Sequence, residues 1–336
     1  MRQEILEIPD AAARLLDAGD GVIAAAGRQL RALSPPVVTT VARGSSDHAA
    51  SFLKYATELT AGVPVASVGP SIASIYGAKL KVGGTACLTI SQSGKSPDIV
   101  AMAQAARAGG ALTIAITNTA GSPLAEASDH AIDILAGEEK SVAATKSFVN
   151  SAVAGLLLLA HWTGDDALHA ALRNLPQHLR NAVDCDWMGI AKALTGENSL
   201  FFLGRGPSAA IANEAALKFK ETCSMHAEAY SAAEVMHGPL ALVGPGFPVV
   251  ALAARDASER SMAEAADLLT GKGASTFITS ALAEKAAKLP FAATGHPLTD
   301  PLPLIVSFYG FVEAFARQRG LNPDQPPNLR KVTETI

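Results

Sequence analysis

The chain has 336 residues, which at roughly 150 residues per domain suggests about two domains, each large enough for a core of its own. Its 27 Lys+Arg against 31 Asp+Glu leave a formal net charge of −4, which argues against a broad basic face for nucleic acid. Hydrophobic residues at 49%, charged residues at 17% and aromatics at only 5% exclude general disorder and predict a core built from Ala, Val, Leu and Ile.

The mean hydropathy of +0.24 raises the question of a membrane, but no apolar run reaches the roughly 18 residues a span needs. The longest candidate, residues 151–162, stops at His161 and reads as a buried helix. Met1-Arg2-Gln3-Glu4 opens the chain without an apolar signal core. Cys87, Cys185 and Cys223 are odd in number and far apart, so neither a disulfide framework nor a CxxC metal site is expected, and a reducing cytoplasm is.

In chain order, residues 4–33 read as helical. A strand at 37–42 leads into Arg43-Gly44-Ser45-Ser46 and a helix over 48–59. A strand at 86–90 precedes a helix starting near Asp98; after the stop at Gly109-Gly110 comes a strand at 112–117. Leu168, Leu172 and Leu175 recur at helical spacing in the polar stretch that follows. The pattern then repeats. Leu200-Phe201-Phe202-Leu203 leads into Gly204-Arg205-Gly206-Pro207-Ser208 and a helix over 209–222, with Gly206 lying 162 residues after Gly44. Strands at 248–252 and 276–279 bracket a helical stretch over 263–269, and a last helix covers 304–319. Alternation of this kind means βαβ crossovers and parallel sheets. The expected fold class is therefore α/β, with two tandem three-layer αβα domains. The boundaries read as a helical segment over 1–34, a first domain over 35–165, a helical linker over 166–195, a second domain over 196–320 and a Pro-rich tail over 321–336.

Ser91-Gln92-Ser93-Gly94-Lys95-Ser96 follows a buried-type strand and precedes a helix with Pro97 and Asp98 in its first turn. Hydroxyls, backbone N–H groups and a positive helix end at the carboxyl end of a strand hold anions such as phosphate. The plainer alternative is a Ser N-cap with Pro at N1, which explains one Ser but not three. Gly44-Ser45-Ser46 occupies the equivalent place after the first strand, so the two loops are expected at one crevice. Neither loop is a P-loop, and Gly204-Arg205-Gly206 lacks the third glycine of a dinucleotide fingerprint.

Glu214, Lys218 and Glu221 stand at i, i+4 and i+7 on one helix face. Such a stripe is ordinarily a solvated, salt-bridged face. Placed in a cleft, the same groups are equipment for proton transfer beside a carbonyl. His226-Ala227-Glu228 and His237-Gly238-Pro239 lack HExxH spacing, so no zinc is implied. His237, before Gly-Pro, reads as a turn residue whose ring can face a ligand.

Taken together, Ser91 to Ser96, Val142-Ala143-Ala144-Thr145-Lys146, Gly204-Arg205-Gly206, Glu214 to Glu221, His226 to Leu240 and the tail Asp324-Gln325-Pro326 through Lys331 resemble sugar isomerase (SIS) domain proteins. The resemblance is to the isomerase half of the glutamine–fructose-6-phosphate aminotransferases and to stand-alone SIS-type glucosamine-6-phosphate deaminases. It implies that Ser45, Ser91, Gln92, Ser93 and Ser96 cradle the substrate phosphate, and that Gly44, Val142 and Ala143 touch the sugar. It further implies that Glu221 moves a proton between C1 and C2, with Glu214 and Lys218 beside it. His237 is implied to open the sugar ring from the partner subunit of a homodimer, and Lys331 to form a Schiff base with the open-chain ketose, carried on the tail as a lid.

The implied substrate is a hexosamine or hexose 6-phosphate, with no metal or organic cofactor, no nucleic acid and no membrane. Arg43, Ala144 and Met236 depart from the aminotransferase pattern, where Cys, Ser and Lys stand, and Ser96 replaces Thr. The chain opens without the glutaminase domain of the full aminotransferase, so glutamine is not expected as nitrogen donor. Deamination of glucosamine 6-phosphate to fructose 6-phosphate and ammonia is the expectation. The alternatives are galactosamine or fructosamine phosphates, an ammonia-dependent synthase, and a non-catalytic sugar-phosphate sensor.

Overall fold

The alternating pattern folds into two parallel five-stranded sheets, and the computed structural model describes residues 1–331. In chain order the elements are α1 (Arg2–Ala18), α2 (Asp20–Leu33), β1 (Val38–Val41), α3 (Ser45–Thr60), β2 (Val65–Ser67), α4 (Ser71–Ser74), β3 (Ala86–Ile90), α5 (Pro97–Ala108), β4 (Leu112–Thr117), α6 (Pro123–Glu126), β5 (His130–Asp133) and α7 (Lys146–Thr163). Then come α8 (Asp166–Val183), α9 (Ile190–Ala193), β6 (Ser199–Gly204), α10 (Pro207–Cys223), β7 (His226–Ser231), β8 (Pro248–Ala251), α11 (Glu259–Gly271), β9 (Ser275–Ile278), β10 (Ala287–Lys288) and α12 (Pro301–Gln318). Of the tail expected over 321–336, residues 332–336 lie outside the described residues.

The first sheet runs β2-β1-β3-β4-β5 and the second, read from its β7 edge, β7-β6-β8-β9-β10, so β6 to β10 repeat the order of β1 to β5. The duplication extends to single residues. Gly44, at the N-cap of α3, has φ 54° and ψ −133°; Gly206, at the N-cap of α10, has φ 59° and ψ −136°. Only glycine takes that backbone shape without strain, so each half needs its glycine at this turn.

The chain forms two compact units. One comprises Asp10–Glu139, Lys146–Arg173 and the segment from Arg330. In it, side chains alternate across the sheet with the period of two that a pleat imposes. Val41, Cys87 and Ala115 pack with Ile99, Met102 and Ala103 of α5, while Val38, Leu88 and Ile114 line a cavity with Leu53 of α3 and Leu158 of α7. Helix α7 is the apolar run of the sequence, buried from Lys146 to Ala160. Gly155 admits Leu53 so closely that a Cβ there would lie 2.2 Å from Leu53 Cδ1.

The other unit comprises Met1–Pro9, Lys140–Thr145 and Asn174–Leu329. Its sheet buries Phe201, Val249 and Ile278 against Met262, Ala266 and Leu269 of α11. On the opposite face Phe202 meets Phe219 of α10 and Phe308 of α12, with ring centroids 5.5 and 5.3 Å apart, and Phe311 and Phe315 extend the cluster. This corrects the expectation of a core without aromatics: they are few in the chain but concentrated here. Among the described residues, no helix is long and apolar enough to cross a membrane.

Candidate functional site

In the first sheet, β1 and β3 are neighbours, yet the helices that follow them pack on opposite faces, α3 on one and α5 on the other. That is a switch point, where open α/β sheets leave a crevice at the carboxyl ends of their strands. The two loops singled out in the sequence flank it. Arg43, on the β1 loop, is ion-paired with Asp98 in the first turn of α5, a direct link between the two. Asp98 is fully buried, and its second carboxylate oxygen has no hydrogen-bond partner among the described residues.

The Ser91–Ser96 loop is held from below by its own backbone. Ser91 N–H donates to Ile116 O at 3.1 Å, Asn118 N–H to Gln92 O at 3.0 Å, and Leu124 N–H to Gly94 O at 3.1 Å. Ser91 Oγ accepts from the N–H of Gly94 and Ser93 Oγ from that of Lys95, each at 3.3 Å. Gly94 has φ +61°, and a Cβ there would lie 2.1 Å from Ser122 Oγ, so no other residue fits. Ser96 occupies the N-cap of α5, but its side chain makes no cap hydrogen bond. The plain capping explanation therefore does not account for this hydroxyl. Ser45 is the first residue of α3, directly after Gly44.

In the other unit, α10 carries Glu214, Lys218 and Glu221 along one face, as their spacing required. The stripe is not a solvated one. Glu214 and Lys218 side chains are 0% exposed and Glu221 is 19% exposed. Lys218 Nζ lies 3.3 Å from Glu214 Oε1 and is ion-paired with Glu221 as well. Tyr309 of α12 donates its hydroxyl to Glu214 Oε1 at 3.1 Å. Burial works against the Lys218 ammonium, but the two carboxylates outweigh it and hold its pKa above the ordinary lysine value. The result is a fixed cation flanked by two anions, of which only Glu221 reaches solvent.

Val142 and Ala143 lie on the Lys140–Thr145 segment of the same unit. There Val142 N–H donates to Asp324 O at 3.2 Å, Ser141 Oγ to Asp324 Oδ1 at 2.7 Å and Ser141 N–H to Glu4 at 3.1 Å. Ala143 is buried and Val142 half-buried. His237 ends a 3₁₀ turn, Glu234–His237, and is exposed. Tyr230 of β7 donates to Glu228 at 2.6 Å, a bond that raises the tyrosine pKa. Lys331 belongs with the first-sheet unit, where its Nζ donates to Glu139 Oε2 at 3.0 Å; Glu139 also accepts from Ser147 Oγ at 2.6 Å. Sequence reading missed Glu139, Tyr309 and the Arg43–Asp98 pair. Each partner is remote in sequence, so no local spacing could have signalled the pairing.

The fold has counterparts among known proteins. An aminotransferase of Symbiobacterium thermophilum, glutamine–fructose-6-phosphate aminotransferase (isomerizing), is 33% identical over 98% of this chain, and the match spans 58% of that protein's own length. Among solved structures, the C-terminal domain of glucosamine–fructose-6-phosphate aminotransferase from Francisella tularensis superposes with a TM-score of 0.83 at 25% identity, covering 96% of this chain and 97% of that one. A protein of Silicibacter pomeroyi DSS-3, provisionally assigned as a phosphosugar isomerase, superposes with a TM-score of 0.94 at 57% identity over 96% of this chain and 99% of that one. The SIS domain model matches twice, over residues 37–161 and 193–293, one match for each sheet. The duplicated βαβ halves are two SIS domains, and the chain belongs to the SIS domain family.

Proposed function

We propose that the protein is a sugar-phosphate enzyme that isomerises and deaminates an amino-sugar phosphate, glucosamine 6-phosphate first, to a ketose phosphate and ammonia. The observation that carries this reading is the buried Glu214–Lys218–Glu221 array. Burying Lys218 and Glu214, with Glu221 reaching solvent beside them, contributes little net stability, because desolvation offsets their attraction, so a reaction that uses them is the better reason for their presence. The relatives named above, an aminotransferase labelled isomerizing and a protein assigned as a phosphosugar isomerase, support the substrate class.

In this reading the hydroxyls of Ser45, Ser91, Ser93 and Ser96, with Gln92, hold the phosphate, while Gly44, Val142 and Ala143 lie along the sugar. Glu221 takes the proton from C2 of the open-chain amino aldose, giving an enolamine, and returns it to C1. In the same rearrangement O1 gains a proton and the nitrogen gives one up, so the product is a C2 imine; water adds across its C=N bond and ammonia leaves as the C2 carbonyl of the ketose forms. Lys218, with its raised pKa, stays a cation throughout and balances the charge that Glu221 gains and loses. Glu214, anchored by Tyr309, positions Lys218. His237, exposed at the end of its 3₁₀ turn, is assigned to ring opening in the partner's site of a homodimer. Lys331, whose Nζ donates to Glu139, is assigned to a Schiff base with the ketose, its nitrogen adding to the C2 carbonyl and water leaving. The setting is cytoplasmic.

The test is a panel of hexosamine 6-phosphates, with glucosamine and galactosamine, and of amine-free hexose 6-phosphates, assayed for ammonia and ketose together. Glu221→Gln is expected to abolish turnover while sugar-phosphate binding survives. Unchanged turnover in that variant, or binding without turnover across the whole panel, defeats the proposal, the latter in favour of a sensor. Ketose interconversion without ammonia defeats deamination and leaves a simple isomerase.

A further inference from the structure

Within the first-sheet unit, segments of three helices bring together Asp20 in the first turn of α2, His161 in the last turn of α7 and His169 near the start of α8. One ligand atom from each lies within 4.8 Å of the others. Asp20 Oδ1 is 2.8 Å from His161 Nε2, and the other nitrogen of that ring, Nδ1, is 3.4 Å from His169 Nε2. The two rings meet edge to face at 81° with centroids 4.4 Å apart.

From this arrangement we propose a binding site for a divalent transition-metal ion of the zinc class, held by His161 Nδ1 and His169 Nε2, with Asp20 as the carboxylate that orients His161. Three features carry it. First, with Zn–N bonds of about 2.0–2.1 Å, two nitrogens 3.4 Å apart subtend roughly 110° at the metal, the tetrahedral angle. As a hydrogen bond the same separation is long, so little is lost when an ion replaces the proton.

Second, the carboxylate on Nε2 fixes the ring with its N–H toward Asp20 and the lone pair of Nδ1 toward His169, the arrangement that metal-ligating histidines use. Third, the ligands are prepositioned. A Cβ on Gly27 of α2 would lie 2.6 Å from His161 Cβ, so that glycine lets α2 close on the histidine. Arg31 donates to the carbonyls of His161 at 2.6 Å and Trp162 at 2.9 Å, and Asp165 caps the start of α8 through the N–H of Leu168 at 2.9 Å. The His161 and Asp20 side chains are 20% and 45% exposed, leaving the ion a path from solvent and room for water as the remaining ligands. Imidazole pairs suit zinc, cobalt, nickel and copper rather than magnesium or calcium. The two histidines are 8 residues apart, at no established metal-motif spacing, and the orienting Asp20 is 141 residues from His161, which is why no motif announces the site.

The site is tested on tag-free, chelator-treated full chain titrated with Co2+ and then Zn2+. One equivalent of Co2+ per chain is expected, with visible d–d absorption that Zn2+ abolishes, and a rise in the Tm of the wild type on adding Zn2+. His169→Gln should weaken binding at least tenfold and remove the Tm rise; Asp20→Asn should weaken it by about tenfold, as loss of an orienting carboxylate does. His169 is half-buried on a surface helix, so its variant is expected to keep the wild-type fold by circular dichroism even if His161→Ala does not. No saturable binding by the wild type, or binding unchanged in His169→Gln, overturns the proposal.

Discussion

Replacing Lys218 with methionine removes a buried cation and leaves the shape of its aliphatic stem. In the native protein Lys218 answers two carboxylates, one of them on a side chain 0% exposed. Without it, Glu214 loses the cation that lies 3.3 Å from its Oε1 while the Tyr309 hydroxyl remains at 3.1 Å, and it must either stay ionised in the interior without that counter-charge or take up a proton. Removing one partner of a buried pair costs about 3–5 kcal/mol, against about 0–1 for an exposed pair. For a unit of this size each kcal/mol moves Tm by about 2–4 °C, so Lys218→Met is expected to lower the transition of this unit by on the order of 10 °C.

The loss has a pH signature. A buried carboxyl that has lost its counter-charge has its pKa raised, so the variant recovers stability as pH falls and the group becomes neutral. Glu214→Gln on the Lys218→Met background should do the same at pH 8 by removing the charge outright. Differential scanning calorimetry of wild type, both single variants and the double variant, at pH 8 and pH 5.5, closes the cycle. A loss under about 1 kcal/mol in Lys218→Met, with no pH dependence, would refute the reasoning and return the stripe to an ordinary solvated face.

Three further outcomes are expected. Gly94→Ala should cost about 2–4 kcal/mol and weaken sugar-phosphate binding, because its φ of +61° and a Cβ 2.1 Å from Ser122 Oγ force the loop to move; a thermal melt with binding affinity unchanged would contradict the role given to the loop. Burial pushes the Cys223 thiol up to about 11 and raises Cys87 likewise, so at pH 8 a disulfide reagent should reach neither within minutes, while all three cysteines react in denaturant. Burial opposes the Asp129 carboxylate, but hydrogen bonds from Thr113 N–H at 3.0 Å and Oγ1 at 2.8 Å, with Arg107 at 2.9 Å, hold its pKa below the usual range. A depressed carboxyl stabilises above its unfolded pKa and loses that contribution as pH falls through the folded one. Because Asp129 and Arg107 are largely solvent-screened, Asp129→Asn should cost only about 0.5–1 kcal/mol at pH 7, with the gap closing below about pH 4, measured as Tm against pH.

The amino-acid sequence by itself determined the fold class, the duplication and the central strands. The strands legible in it, β1, β3 and β4 and then β6, β8 and β9, are the three inner strands of each sheet; β2, β5, β7 and β10, which it hid, are the edges. Inner strands of a parallel sheet are covered on both faces and read as runs of apolar and β-branched residues, as in Val38–Val41 and Ala86–Ile90, whereas an edge such as Ala287–Lys288 is short and exposed and leaves no such mark. The glycine turns at Gly44 and Gly206 and the stripe at Glu214, Lys218 and Glu221 were legible too, because spacing within one turn or one helix is local information.

Only the tertiary structure decided what those local patterns mean. It put the stripe in the interior, where α12 supplies Tyr309, and so turned an ambiguous salt-bridged face into a desolvated charge array. It likewise gathered Phe202, Phe219, Phe308, Phe311 and Phe315 into one cluster and set Glu139 beside Lys331 across 192 residues. It joined Asp20 to two histidines from two other helices. Contacts between residues so far apart depend on how the helices pack on their sheets, and packing is settled by the whole chain rather than by any window of it.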